Sequence, residues 1–213
     1  MRKILVIAPH ADDEVIGPGG SIIKHVEAGD QVHVIIVADR HTIDWRKQRE
    51  QSITVKEILN YTSVTHLGMT DEKLHESFHE LTKSIEAVFM KIQPDVVYVC
   101  NSDDINTDHQ QVFTASMIAC RRIQKQAPSR VLCYETPSST DQSMIKVFAP
   151  NYFNVLSEQQ LNLKILAYSV YSDEVRETPN PRSLKNIRTY AEFRGLMCNT
   201  LFAEAFISKY EKA

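Results

Sequence analysis

Continuous apolar runs alternate along this chain with stretches whose apolar positions recur every three to four residues. Lys3–Ala8 reads Lys-Ile-Leu-Val-Ile-Ala, the unbroken pattern of a strand covered on both faces. Residues 19–28 carry Ile22, Ile23 and Val26 at helical spacing and stop before Gly29. Residues 31–38 are rich in Val and Ile and predict a second strand. Residues 44–59 are polar, with Ile53, Val55, Ile58 and Leu59 recurring on one side, and predict a helix. A short third strand follows at 63–67, then a helix over 76–92 that Pro94 stops.

A fourth strand is predicted at 95–100, a polar loop at 101–108, a helix at 112–126 and a fifth strand at 130–134. Residues 146–149 and 152–156 read as short strands around Pro150. Residues 157–171 form a helix with Ser157 as N-cap and Gln160 at the capping-box position. A loop over 172–182 holds Pro179 and Pro181, a last helix covers 183–199, and a terminal strand covers 202–210. The repeating strand–helix order predicts an α/β, Rossmann-like fold. It is a mostly parallel sheet with helices on both faces, in one domain spanning 1–213. In such sheets ligands bind beyond the carboxyl ends of the strands. Loops 9–20, 39–44, 101–108 and 135–143 should therefore converge on one mouth.

Composition narrows the function. A net charge of -3 with no basic block gives no electrostatic footprint for nucleic acid or an anionic membrane. The apolar runs are too short to span a bilayer, and the first residues lack the pattern of a secretory leader. Cys100, Cys120, Cys133 and Cys198 are widely spaced, form no CxxC pair and sit among apolar neighbours. They read as buried thiols of a reducing, cytoplasmic setting rather than as a zinc–thiolate site or a disulfide framework. Tyr152, Tyr168 and Tyr171 read as core or interface residues.

The chemistry concentrates at the end of the first strand, in Pro9-His10-Ala11-Asp12-Asp13-Glu14. One imidazole and three carboxylates there are costly to desolvate unless something needs them. A second His/Asp cluster, Asp103-Asp104-Ile105-Asn106-Thr107-Asp108-His109, falls in another loop of the same mouth. A catalytic zinc takes three protein ligands and keeps one position open. His10, Asp13 and His109 supply two imidazoles and one carboxylate, and Asp12 is placed to take a proton from water. Each feature also has a plain structural reading: Asp12 and Asp13 as helix caps, Asn106, Thr107 and Asp108 as a helix start. The same ligand set accepts iron or another divalent ion.

The motif Pro-His-Ala-Asp-Asp-Glu followed by Gly17-Pro18-Gly19-Gly20 resembles the signature of the LmbE/PIG-L-like zinc-dependent de-N-acetylases, with Ala11 where that signature usually has Pro. Further similar segments are Asp104–Gln110, Glu135–Thr140 and the tail from Pro181-Arg182-Ser183-Leu184 through Arg194-Gly195 to Ala203-Glu204-Ala205-Phe206. The resemblance implies His10, Asp13 and His109 as zinc ligands and Asp12 as general base. It implies Asp108 as a supporting carboxylate that orients a histidine. Many members carry a histidine general acid where this chain has Asn106. Asparagine donates a hydrogen bond to an oxyanion but delivers no proton. The acid is then Asp12 itself or another group, with His41 and His75 as candidates.

The resemblance further implies a small-molecule substrate, an N-acetyl group on a sugar or sugar conjugate, and it leaves a homo-oligomer open. A non-sugar amide and a non-catalytic binding protein are the alternatives. Arg46 and Arg49 either hold a sugar hydroxyl or phosphate or form a solvated helix face. Ser138, with Ser139 and Thr140, is expected at the pocket rim. Gly17–Gly20 is either a tight turn or a phosphate cradle at a helix start.

Overall fold

The computed structural model describes residues 1–40, 43–123, 126–144 and 146–212. Among them the strands are β1 (Lys3–Ala8), β2 (Gln31–Asp39), β3 (Ser63–Thr70), β4 (Val96–Cys100), β5 (Arg130–Tyr134), β6 (Tyr152–Val155) and β7 (Ala203–Glu211). They pair into one sheet in the order β3-β2-β1-β4-β5-β7-β6. The first five run parallel, and β7 is antiparallel to both its neighbours. The expected mostly parallel α/β sheet is thus observed.

The helices are α1 (Asp13–Ile16), α2 (Gly19–Glu27), α3 (Trp45–Leu59), α4 (Phe78–Ile92), α5 (Thr107–Ala119), α6 (Glu158–Ser169) and α7 (Leu184–Met197). They fall into two packed groups. α4 lies against α5, while α6 gathers α1, α2, α3 and α7. β1 touches members of both groups, so both faces of the sheet are covered. That is why Ile4, Leu5, Val6 and Ile7 can be consecutive and all buried. Truncating one of them, Leu5→Ala, is a cavity mutation of about 2–5 kcal/mol.

Several boundaries depart from the sequence reading; α5 ends at Ala119 and not at 126, β3 runs on to Thr70, and three further departures concern burial. Residues 146–149 form no strand. Val147 faces solvent and Phe148 is buried. α5 begins at Thr107, five positions before the apolar pattern starts at Val112. Its first turn buries Asp108 and His109, which a hydrophobic period does not register. α1 went unpredicted for the same cause, since it buries Asp13 and Glu14. The predicted capping box of Ser157 and Gln160 is present at the start of α6.

The chain leaves β1 toward β2 on one side and later returns to β4 on the other. This reversal opens the crevice at the carboxyl ends of β1 and β4 where such sheets bind ligands. His10 lies just past β1 and His109 just past β4.

Candidate metal centre

β1 ends at Ala8 and the chain folds at once into the single turn α1. The His10 N–H donates to Asp13 Oδ2 at 3.0 Å, and the Asp13 N–H donates to the His10 carbonyl at 3.3 Å. Residues 10 and 13 are thereby turned toward each other. His109 comes from the first turn of α5, fixed by its N-cap Asn106, whose Oδ1 accepts from the N–H groups of Asp108 at 2.9 Å and His109 at 3.4 Å. Asp13 Oδ2 then lies 3.4 Å from His10 Nδ1 and 3.3 Å from His109 Nε2. All three side chains are buried.

Among the described residues, His10 Nδ1, Asp13 Oδ1 and His109 Nε2 find no hydrogen-bond partner despite their burial. Buried polar atoms without a protein partner call for an explanation such as a bound ion. Tetrahedral zinc with bonds of about 2.0–2.1 Å requires ligand atoms about 3.3–3.4 Å apart. The two observed separations from Asp13 Oδ2 match, and ligand atoms of the three residues all lie within 4.8 Å of one another. The residues therefore fit a zinc ion.

Electrostatics agree. Burial pushes both imidazoles toward neutrality, yet carboxylates prevail. Asp108, Asp13 and Asp71 raise His10 well above the usual histidine range, and Asp13 with Asp104 lifts His109 to about 9. Burial likewise pushes Asp13 up, but His109 and His10 hold it well below the carboxylate range. A site that draws protons onto two buried imidazoles is one that favours a cation.

The ring nitrogens facing away from the trio are held by further carboxylates. His109 Nδ1 meets Asp104 Oδ2 at 3.1 Å. Asp104 in turn accepts from Ser139 Oγ, from Thr140 Oγ1 at 2.8 Å and from the Asn106 N–H at 2.8 Å. His10 Nε2 lies 2.9 Å from Asp71 Oδ1 and 3.4 Å from Asp108 Oδ2, which also accepts from the Glu72 N–H at 2.7 Å. Partners of this kind fix the orientation of metal-binding imidazoles. Asp108 thus stands beside a histidine, His10. Asp104 and Asp71 were not assigned a role from sequence. Asp104 was visible as part of the second acidic cluster, whereas Asp71, past β3, carried no signal.

Asp12 is fully buried and has φ 117°, a strained value for a residue with a side chain. Such backbone costs about 1–3 kcal/mol and persists where surroundings enforce it. Here the Asp12 N–H donates to Glu14 Oε2 at 3.0 Å, and Tyr171 donates its hydroxyl to Glu14 Oε1. The carboxylate meets Arg40 Nη2 at 3.3 Å and Arg182 Nη1 at 3.1 Å, and both guanidinium groups also reach Glu174. Burial raises the Asp12 pKa to about 6 against the pull of Arg182 and Arg40. Burial likewise raises Glu14 to about 8. Arg40 and Arg182 went unassigned in the sequence. Their signals were Arg40's place in the loop after β2 and Arg182's place in the similar tail segment.

The remaining candidates sit as follows. Ser138 has φ 73° and its hydroxyl accepts from Arg182 Nε at 2.8 Å, tying that loop to the arginine on Asp12. Arg49 donates to Asp39 at 3.1 Å, at the end of β2, and lies over the Trp45 ring. Arg46 also lies over Trp45. His75 is exposed, with Glu76 3.9 Å away. His41 lies outside the described residues. Tyr168 and Tyr171 are buried, and Tyr152 packs edge-on against Phe206.

The glycine turn resolves toward structure. The N–H groups of Gly20 and Ser21, at the start of α2, donate to the Glu204 carboxylate at 2.6 and 2.7 Å. Lys164 closes the group at 2.7 Å from Glu204 and donates to the Gly17 carbonyl. The anion position at this helix start is filled by the chain itself. A Cβ on Gly17 would stand 2.3 Å from the Tyr134 ring, so the close approach requires glycine.

With fold and site in place, comparison with known proteins gives the class. The family model described as PIG-L: GlcNAc-PI de-N-acetylase matches residues 5–120, more than half of the chain. The chain belongs to this deacetylase family. The uncharacterized deacetylase YaiS of Escherichia coli K12 is 28% identical over 181 residues, covering 78% of this chain and 88% of YaiS. Among solved structures, the N,N'-diacetylchitobiose deacetylase of Pyrococcus horikoshii superposes with a TM-score of 0.76 at 21% identity, over 97% of this chain and 83% of that one. GalB of Pseudomonas putida, a 4-carboxy-2-hydroxymuconate hydratase, superposes with 0.79 at 19% identity, over 100% and 98%. The fold is thus shared by proteins described as carrying out different reactions, and the site must carry the functional argument. Among the described residues no helix is long and apolar enough to cross a membrane.

Proposed function

We propose that this protein is a cytoplasmic, zinc-dependent hydrolase that removes an N-acetyl group from an amino sugar or sugar conjugate. The observation that carries this reading is the convergence of His10 Nδ1 and His109 Nε2 on the Asp13 carboxylate, each of the three residues keeping a buried polar atom without a partner among the described residues. Zinc held by these residues supplies Lewis acidity toward the amide carbonyl and acidifies water near neutral pH. Iron would fit the same donors.

Asp12 acts as general base. Its carboxylate takes the proton as water oxygen bonds to the carbonyl carbon, and Arg40 and Arg182 hold it in orientation. The tetrahedral oxyanion also accepts from Asn106 Nδ2, since Asn106 Oδ1 is spent on the α5 cap. Asp12 then returns the proton to the departing nitrogen, the C–N bond breaks, and acetate and a free amine leave. A carboxyl shifted to about 6 suits both accepting and releasing that proton. Asp108 positions His10, and Ser138 and Arg49 serve substrate binding at the rim.

The test is acetate release from a panel of N-acetylated sugars by protein loaded with one equivalent of zinc and by the same protein after chelation. Turnover by the loaded protein alone is expected. Equal rates before and after chelation would contradict the metal reading, and turnover restricted to non-sugar amides would redirect the substrate class.

A further inference from the structure

Asp12 is held at two points, and both lead back to one turn of helix. Its N–H donates to Glu14 Oε2 at 3.0 Å, and Glu14 Oε1 accepts from the Tyr171 hydroxyl. Its carboxylate meets Arg40 and Arg182, whose guanidinium groups also reach Glu174. Glu174 and Arg182 stand eight positions apart in the loop after α6. The Tyr168 hydroxyl closes that loop, sharing its proton between the carbonyl oxygens of Glu174 and Arg182 at 3.1 Å from each. The loop also starts from Tyr171, whose carbonyl accepts from the N–H groups of Glu174 at 2.9 Å and Val175 at 3.2 Å. Tyr168 lies in the last turn of α6 and Tyr171 just past its end, and both are buried.

Core packing asks for the two rings and not for their hydroxyls, since phenylalanine fills nearly the same space. A buried tyrosine hydroxyl needs a partner. Here the two hydroxyls find theirs on the two supports of one strained residue, Asp12 with φ 117°. We propose that Tyr168 and Tyr171 are positioning residues for Asp12. Tyr171 acts through Glu14 on its backbone, and Tyr168 acts through the loop of Glu174 and Arg182 on its carboxylate. The inference rests on the reading of Asp12 as general base and names what keeps that base in place. A misplacement of about 1 Å costs about 100-fold in rate.

The experiment compares Tyr168→Phe and Tyr171→Phe with Tyr98→Phe, which removes a buried hydroxyl that meets His25 and Asn154 instead. With zinc-loaded protein and an N-acetylated sugar, the first two variants should lose at least about 10-fold in kcat at unchanged KM and one zinc per chain. Tyr98→Phe should keep the wild-type kcat. In an Asp12→Asn background neither tyrosine substitution should add more than about twofold, because both act through Asp12. Losses that multiply in that background overturn the proposal, as does a kcat within about twofold of wild type in both variants, or an equal fall in Tyr98→Phe. Amide-proton exchange in the metal-free protein supplies a readout that needs no turnover. Relative to the Leu5 amide in β1, the Asp12 amide in Tyr171→Phe and the Glu174 amide in Tyr168→Phe should exchange at least about 10-fold faster. If the wild type hydrolyses no amide, the deacetylase reading fails and this measurement alone decides. Faster exchange at those amides then still assigns the hydroxyls to holding Asp12, and unchanged exchange overturns the proposal. Tyr168→Phe carries the test alone if Tyr171→Phe does not fold.

Discussion

Two clusters of buried charge lie near each other at the strand ends, and they differ in one respect. In the first, Glu204 sits at the start of α2 with Lys164, two backbone N–H groups and the Ser21 hydroxyl around it, and none of these side chains has an unpartnered polar atom. In the second, His10, Asp13 and His109 each keep one buried atom without a partner among the described residues. Charge buried in either cluster is costly to desolvate. The first is complete as folded, so its charges account for fold. The second keeps buried polar atoms without a protein partner and fits a cation, which is why we assign its charges to the proposed function. Sequence made the two look alike, since each involves a motif at a helix start, and only the inventory of partners separates them.

This contrast can be broken by substitution. The largest effect is expected for His109→Ala, which should abolish stoichiometric zinc binding; elemental analysis returning one zinc per chain at wild-type affinity would remove His109 from the ligand set. Lys164→Met should cost about 3 kcal/mol in urea unfolding of the metal-free protein, the low end for a broken buried pair because three donors remain on Glu204. Its zinc stoichiometry should stay at one per chain, and a loss of metal would merge the clusters that the comparison separates. Asp12→Asn should keep zinc and lose at least roughly 100-fold in turnover, the scale of a general base. Near-normal acetate release by that variant would strip Asp12 of its role. The smallest effect is expected for Asp104→Ala, a fall of about 10–100-fold in zinc affinity read by competition with a chelator. An unchanged affinity would show that His109 needs no outer carboxylate.

Hydrophobic period and turn residues sufficed for the parallel strands, because β1, β4 and β5 are buried on both faces and therefore read as unbroken apolar runs. The convergence of His10, Asp13 and His109 was legible because their residue types cluster at two strand ends that the topology must bring together. The pattern failed where buried positions are polar: α1 and the first turn of α5 hide inside the motifs they carry. It also failed where a partner comes from far along the chain. Arg182 reaches Asp12 across 170 positions, and Glu204 reaches Ser21 across 183. No local period records such meetings, and the choice between cradle and turn at Gly17–Gly20 depended on one of them.

The central claim is that two imidazoles and a carboxylate from the ends of β1 and β4 share one ion. Zinc K-edge absorption spectroscopy on protein loaded with one equivalent tests it most directly. Two histidines with nitrogen and oxygen donors at about 2.0–2.1 Å, and no sulfur at about 2.3 Å, is the predicted first coordination sphere. Sulfur scatterers, or a spectrum without the imidazole signature, would contradict it.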